Sequence, residues 1–171
     1  MFETIISGVL VFVIGQTILK LVVEPIHALK RTFGDISHGL RVSAPFLYRP
    51  NDLPDEIART VQSELLSLSG KLSAALMLVP GYSFWRRVFF LPGKAEVNEA
   101  ASGLITMSNL VNSGGAAALE QIIKEVQDTS DLLGIYIPPH SRVSDELLQL
   151  AIRHYLGIKA PDEKVAHDAQ G

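Results

Sequence analysis

The groups in this 171-residue chain whose types could do chemistry are five histidines, two spaced carboxylate pairs and one glycine-rich turn. His27 and His38 stand about three helical turns apart, too far to share one metal ion. His140 follows Pro139, and His154 sits in a later apolar-periodic stretch. No His-x-x-x-His or His-Glu-x-x-His spacing occurs, so the histidines read most simply as surface or capping groups. Glu96 and Glu99, like Asp128 and Asp131, are three residues apart and share a face of a helix. Such a pair could hold a divalent cation or share a proton, but without a third ligand it reads more simply as a solvated face. Asn112-Ser113-Gly114-Gly115 precedes a helical pattern, where backbone N–H groups could cradle an anion. It lacks the lysine and the preceding strand of a P-loop, so it reads as a turn between helices. Ser63, Ser67 and Ser69 have no base nearby in sequence. Cysteine is absent, which excludes thiol nucleophiles, disulfides and cysteine metal sites. No cofactor or metal is called for, and no reaction is assigned.

Composition says more about place than about chemistry. Residues Ile5 to Val23, IISGVLVFVIGQTILKLVV, carry one charge, Lys20. As a helix they span roughly 28 Å, close to the hydrocarbon thickness of a bilayer. A cleaved signal peptide would need a basic flank and a small-x-small site, and Met1-Phe2-Glu3-Thr4 and Glu24-Pro25-Ile26-His27 supply neither. A retained anchor is expected, with Ile5, Val11, Phe12, Ile14 and Leu19 facing lipid and Lys20 snorkelling to the headgroups. Basic residues follow the span (Lys30, Arg31, Arg41, Arg49) and none precede it. The positive-inside rule then predicts an outside N-terminus and a cytoplasmic C-terminal bulk.

The net charge of −3 gives no reason to expect nucleic-acid binding. Basic residues outnumber acidic ones between Lys20 and Lys94, and acidic ones dominate from Ala116 on. That suits a domain standing over anionic lipid with its acidic end away from it.

Apolar spacing continues beyond the span. Val22, Ile26, Leu29, Phe33, Ile36 and Leu40 recur at steps of four and three, the seam of a helix running to about Leu40. Pro25 predicts a kink or break near Glu24-Pro25. The seam fits either packing on the domain's own core or parallel self-association, for which Gly8 and Gly15 in the span allow close approach. Arg41 to Leu53, with Pro45 and Pro50, reads as a loop. Asn51 or Asp52 can cap a helix running to about Leu78, with Ile57, Val61, Leu65, Leu68, Leu72, Ala75 and Val79 on its buried face.

Tyr82 to Leu91, YSFWRRVFFL, holds five aromatic residues, including the only tryptophan, and no acid. Tyr82, Phe84, Trp85, Arg86, Arg87, Phe89 and Phe90 fit an in-plane membrane or partner contact, since tryptophan, tyrosine and arginine favour the headgroup layer. They also fit a short core helix. Further helices are expected at about Lys94–Val111, with Val97, Ala101, Leu104, Ile105 and Ser108 inward, and at about Ala116–Leu133, with Leu119, Ile122, Ile123, Val126 and Leu133 inward. Gly134-Ile135 matches a helix-ending motif. A last helix, capped by Ser144, carries Leu147, Leu148, Ala151, Ile152 and Tyr155. Lys159 to Gly171 reads as a polar tail.

Three stretches resemble one group of sequences: Val23-Glu24-Pro25-Ile26 after the anchor, Leu68-Ser69-Gly70-Lys71-Leu72, and Leu91-Pro92-Gly93-Lys94-Ala95-Glu96-Val97-Asn98-Glu99-Ala100 through Ser108-Asn109. Over Phe2 to Asn112 the chain resembles small bacterial single-pass membrane-anchored proteins, a family to which no activity is assigned. The resemblance implies the same topology with a helical cytoplasmic domain.

The expected architecture is all-α: an anchor over 1–24, a juxtamembrane helix over 25–43, a helical domain over 44–158 and a tail over 159–171. The expected function is a non-enzymatic interaction or scaffolding module of the bacterial inner membrane. Its partners would be the lipid bilayer, a second copy of itself, or another protein. Two rival readings are a membrane-disrupting effector that oligomerises through its anchor, and a small hydrolase or ligand-binding domain whose site is assembled by the fold.

Overall fold

The structure, a computed structural model, describes residues 2–48, 54–113 and 115–136. The expected last helix with its Ser144 cap, His140, His154, Asn51, Asp52 and the tail lie outside the described residues.

The chain is all-helical with a long apolar helix leading into a bundle. Helix α1 (Phe2–Ile18) passes into a π turn, Leu19–Val23, and then into α2 (Glu24–Leu47). From Ile5 to Leu47 this is one 43-residue helix, long and apolar enough over its first part to cross a membrane. The expected break at Pro25 is therefore a widened turn. Pro25 has no N–H, and its ring would crowd the carbonyl four residues back. In the π turn, the Glu24 N–H reaches the Leu19 carbonyl instead, so the chain stays helical past the proline.

The expected loop after Leu40 is also helical as far as Leu47, with Pro45 inside. A proline in the last turn removes few backbone bonds, and continuing the helix buries Leu47 completely. The helix ends at Tyr48, whose N–H bonds the Ala44 carbonyl. Helix α3 (Asp55–Met77) starts on Pro54, whose carbonyl accepts the Ala58 N–H, and Asp55 and Glu56 suit its positive end. Gly81, at φ +61, turns the chain into α4 (Tyr82–Phe89), which is bent 102° from α3. Helix α5 (Lys94–Leu110) opens with a Glu96 carboxylate that accepts the Gly93 N–H. Helix α6 (Ala116–Leu132) ends as its sequence predicts: Gly134 takes φ +65 and the Ile135 N–H bonds the Ser130 carbonyl at 2.8 Å.

Helices α2, α3, α5 and α6 form an up-and-down bundle in which α3 packs on α2 and α5, and α5 packs on α6. The buried Ser69 hydroxyl donates to the Ala101 carbonyl at 2.8 Å, and Asn112 donates to Gln62 at 3.0 Å at the other end of the same pair. These two contacts fix α3 and α5 as antiparallel. The axes come close where side chains vanish. A Cβ on Gly39 would lie 2.7 Å from Leu68 Cδ1, and one on Gly103 would lie 2.7 Å from Thr129 Oγ1.

The seam is spent inside the chain. Val22, Ile26, Leu29, Ile36 and Leu40 are buried in the common core with Leu65, Leu72, Val97 and Leu104, and Phe33 packs against it. The alternative of parallel pairing through this seam would need these side chains to leave that core. Ile105, expected inward, is 43% exposed.

Candidate functional site

Ile5, Val11, Phe12, Ile14, Leu19 and Lys20 are all exposed on the α1 helix and its π turn, as lipid-facing residues would be. Val22, two residues after Lys20, is already in the bundle core. The apolar stretch and the core therefore share their boundary turn, and no linker separates them.

The short helix α4 stands at that same end. Gly39 on α2 meets Leu68 on α3, and α3 runs back alongside α2. From that crossing, Ile26 lies roughly 20 Å toward the apolar segment and Val79 roughly 16 Å, at about 1.5 Å per residue. The bend at Pro80-Gly81 turns α4 away from the α3 axis at this end, and Phe90 just beyond α4 lines an open groove with Lys30, Phe33 and Gly34 of α2. Helix α5 starts at this end too, because its pairing with α3 runs the opposite way.

Tyr82 and the two proline-glycine pairs hold α4 in position. The Tyr82 ring is buried and its hydroxyl donates to the Pro92 carbonyl at 2.8 Å. Burial pushes the Tyr82 hydroxyl pKa up; Arg86 opposes that rise and Glu96 adds to it. The Arg86 guanidinium leans over Gly93 beside Glu96, since a Cβ on Gly93 would lie 3.2 Å from Arg86 Nη1 and 3.1 Å from Glu96 Cδ. Phe84 stands edge-on to Trp85 with centroids 4.9 Å apart, and the Phe89 centroid lies 6.0 Å from that of Trp85.

The aromatic segment is therefore split. Tyr82 is core, Trp85 and Phe89 are half-buried against it, and Phe84, Arg86, Arg87 and Phe90 are exposed. Phe90 is the outlier. It takes φ +52, the only non-glycine residue at positive φ among those described, and it is 94% exposed. The Leu91 N–H closes onto the Arg86 carbonyl around it, the geometry in which glycine usually ends a helix. An L-residue there costs roughly 1–2 kcal/mol, and the ring gains no burial in return.

Two exposed apolar residues at this end lie outside the sequence reading, Met77 (84%) and Leu78 (64%). The signal was available: both fall off the α3 stripe yet stand within three residues of Pro80.

Other candidates stay apart or serve structure. Glu96 caps α5. Glu96, Glu99, Asp128 and Asp131 line a shallow acidic trough between α5 and α6, but no three histidine or carboxylate groups among the described residues are placed to hold a metal ion. Next to the trough, Glu125 has its pKa raised, first by burial and then by Asp128 and Glu99, against Lys124 and a Gln121 hydrogen bond. His27 and His38 are exposed on α2. The most enclosed cavity among the described residues, about 490 Å³ between α2 and α6, is lined by Leu40, Ala44, Tyr48, Val126 and Tyr136, with Arg41 as its one charged group among the described residues. It offers apolar surface and hydroxyls and brings together none of the candidate pairs. Comparison with known proteins gives no matching family model, no matching curated protein and no matching solved structure.

Proposed function

We propose that this chain is a non-enzymatic interaction module fixed to the bacterial inner membrane by one helix, with its N-terminus outside and its bundle in the cytoplasm. It holds a partner, a second copy or another protein, at the membrane surface. The observation that carries the reading is the continuous helix from Ile5 to Leu47, whose later part is the first wall of the bundle. An enzyme that only needs attachment works on a loose tether. A helix without a joint fixes the height and tilt of the bundle, which matters when surfaces must meet in register. Confinement to a membrane raises effective concentration, so weak contacts suffice. Lys20 near the inner end of the apolar stretch, and Lys30 and Arg31 beyond it, are exposed and favour the cytoplasmic side.

The test is fractionation and in-membrane crosslinking of the full chain in bacteria. The expected result is protein that resists alkaline extraction, a C-terminal tag protected from external protease, and a crosslinked species above monomer mass. Alkali-soluble protein, or monomer alone at all crosslinker doses, would contradict the reading.

A further inference from the structure

We propose that the exposed end of the bundle, Met77, Leu78, Phe84 and Phe90 with Arg87 and Lys94, is a second membrane contact that seats the domain on the same bilayer its anchor crosses. The inference rests on the anchor reading above and adds the surface that touches lipid.

Three observations point to lipid as the occupant. The first is continuity. The apolar stretch needs its full length to cross a bilayer, which brings the headgroup layer to about Val23. Val22 is already core, so the end of the bundle that carries α4 stands at that layer with no linker to lift it away. The second is chemistry. Arg86, Arg87 and Lys94 stand among exposed aromatic and aliphatic groups, and Tyr82 to Leu91 contains no acid; the carboxylates of this end, Glu96, Glu99, Asp128 and Asp131, are gathered in the trough between α5 and α6, with Glu96 beside Arg86. Aromatic bodies with cationic neighbours match the headgroup boundary of an anionic membrane. The third is Phe90 itself. A phenyl ring fixed at φ +52 and left 94% exposed contributes nothing to the described fold, and glycine would fit the backbone better. The ring stands at the rim of an open groove beside Lys30, Phe33 and Gly34 of α2, and its exposure is explained by a contact outside the chain, which the continuity with the anchor assigns to the headgroup layer.

The chain's single tryptophan, Trp85, reports on this face directly. The experiment places the full-length protein in vesicles of phosphatidylcholine and phosphatidylglycerol, with and without bromine on the acyl chains near the headgroups. Bromine within contact range quenches tryptophan. Trp85 emission is expected to fall to about half or less in brominated lipid, because an interfacial helix sits at the headgroup boundary. Phe90→Gly and Met77→Ser with Leu78→Ser should each restore much of the emission. Phe90→Gly should also leave the Tm of the bundle unchanged or higher, which a fold-stabilising phenylalanine would not allow.

If the protein survives an alkaline wash on the vesicles and Trp85 is equally bright in both lipids, this inference fails while the anchor reading stands. Loss of the protein in the wash would overturn both. A blue-shifted emission that ignores bromine and depends on the protein-to-lipid ratio would assign the face to a second copy and overturn the lipid assignment.

Discussion

The hydroxyl of Tyr82 donates a 2.8 Å hydrogen bond to the carbonyl of Pro92, closing α4 between the two proline-glycine pairs that bracket it. One residue of the aromatic segment is thus sacrificed to the core so that its neighbours are held outside it. Tyr82→Phe keeps the buried ring and removes the bond. It should lower stability by about 0.5–1.5 kcal/mol, the usual net value of such a bond. Thermal melts followed by circular dichroism would read this, and an unchanged Tm would mean that the bond does not fasten α4.

The crossing of α5 and α6 at Gly103 gives a paired prediction. A methyl at Gly103 meets Thr129 Oγ1 at 2.7 Å and Glu125 Oε2 at 2.9 Å. Glu125 can swing aside, but Thr129 is β-branched, buried and stiff. Gly103→Ala should therefore cost about 1–3 kcal/mol as an overpacked contact. Thr129 Oγ1 has no hydrogen-bond partner among the described residues, so Thr129→Val should leave stability within about 1 kcal/mol of the parent or raise it. Denaturant titrations of both variants check the pair.

Glu125 predicts a pH dependence. Its pKa is raised in the fold above its ordinary 4.5, by burial and by Asp128 and Glu99. The folded state then binds the proton more tightly than the unfolded state. The penalty from Glu125 is absent below 4.5, grows as the pH climbs toward the raised value, and is complete above it. Glu125→Gln should stabilise the protein at neutral pH, and that gain should fade on acidification toward 4.5. A gain that is constant with pH would assign the effect to something other than charge.

Several of these features were legible in residue order and others were not. The Gly134-Ile135 ending and the stripe from Val61 to Val79 are local patterns with one geometric solution, and the structure has them. The π turn and the passage through Pro45 were not legible. Local propensity breaks a helix at proline, and only burial of Val22 and Leu47 against distant elements outweighs it. The Gly39 and Gly103 crossings depend on which helices become neighbours, which spacing along one chain does not specify. At the candidate site the composition of Tyr82–Leu91 marked the segment. Its division into a core tyrosine and an exposed rim needed the 102° bend, and the Met77-Leu78 pair belongs to that surface because α3 runs back toward the apolar segment.

The central claim is that anchor and bundle are joined by one helix without a hinge. Leu10 and Lys30 are both exposed and lie on either side of the π turn. The chain has no cysteine, so Leu10→Cys with Lys30→Cys places spin labels at those two sites alone. In nanodiscs, pulsed electron–electron resonance should give a single narrow distance distribution near 30 Å, the rise of a continuous helix over that interval at about 1.5 Å per residue. A broad distribution, or one centred well short of that distance, would contradict the account.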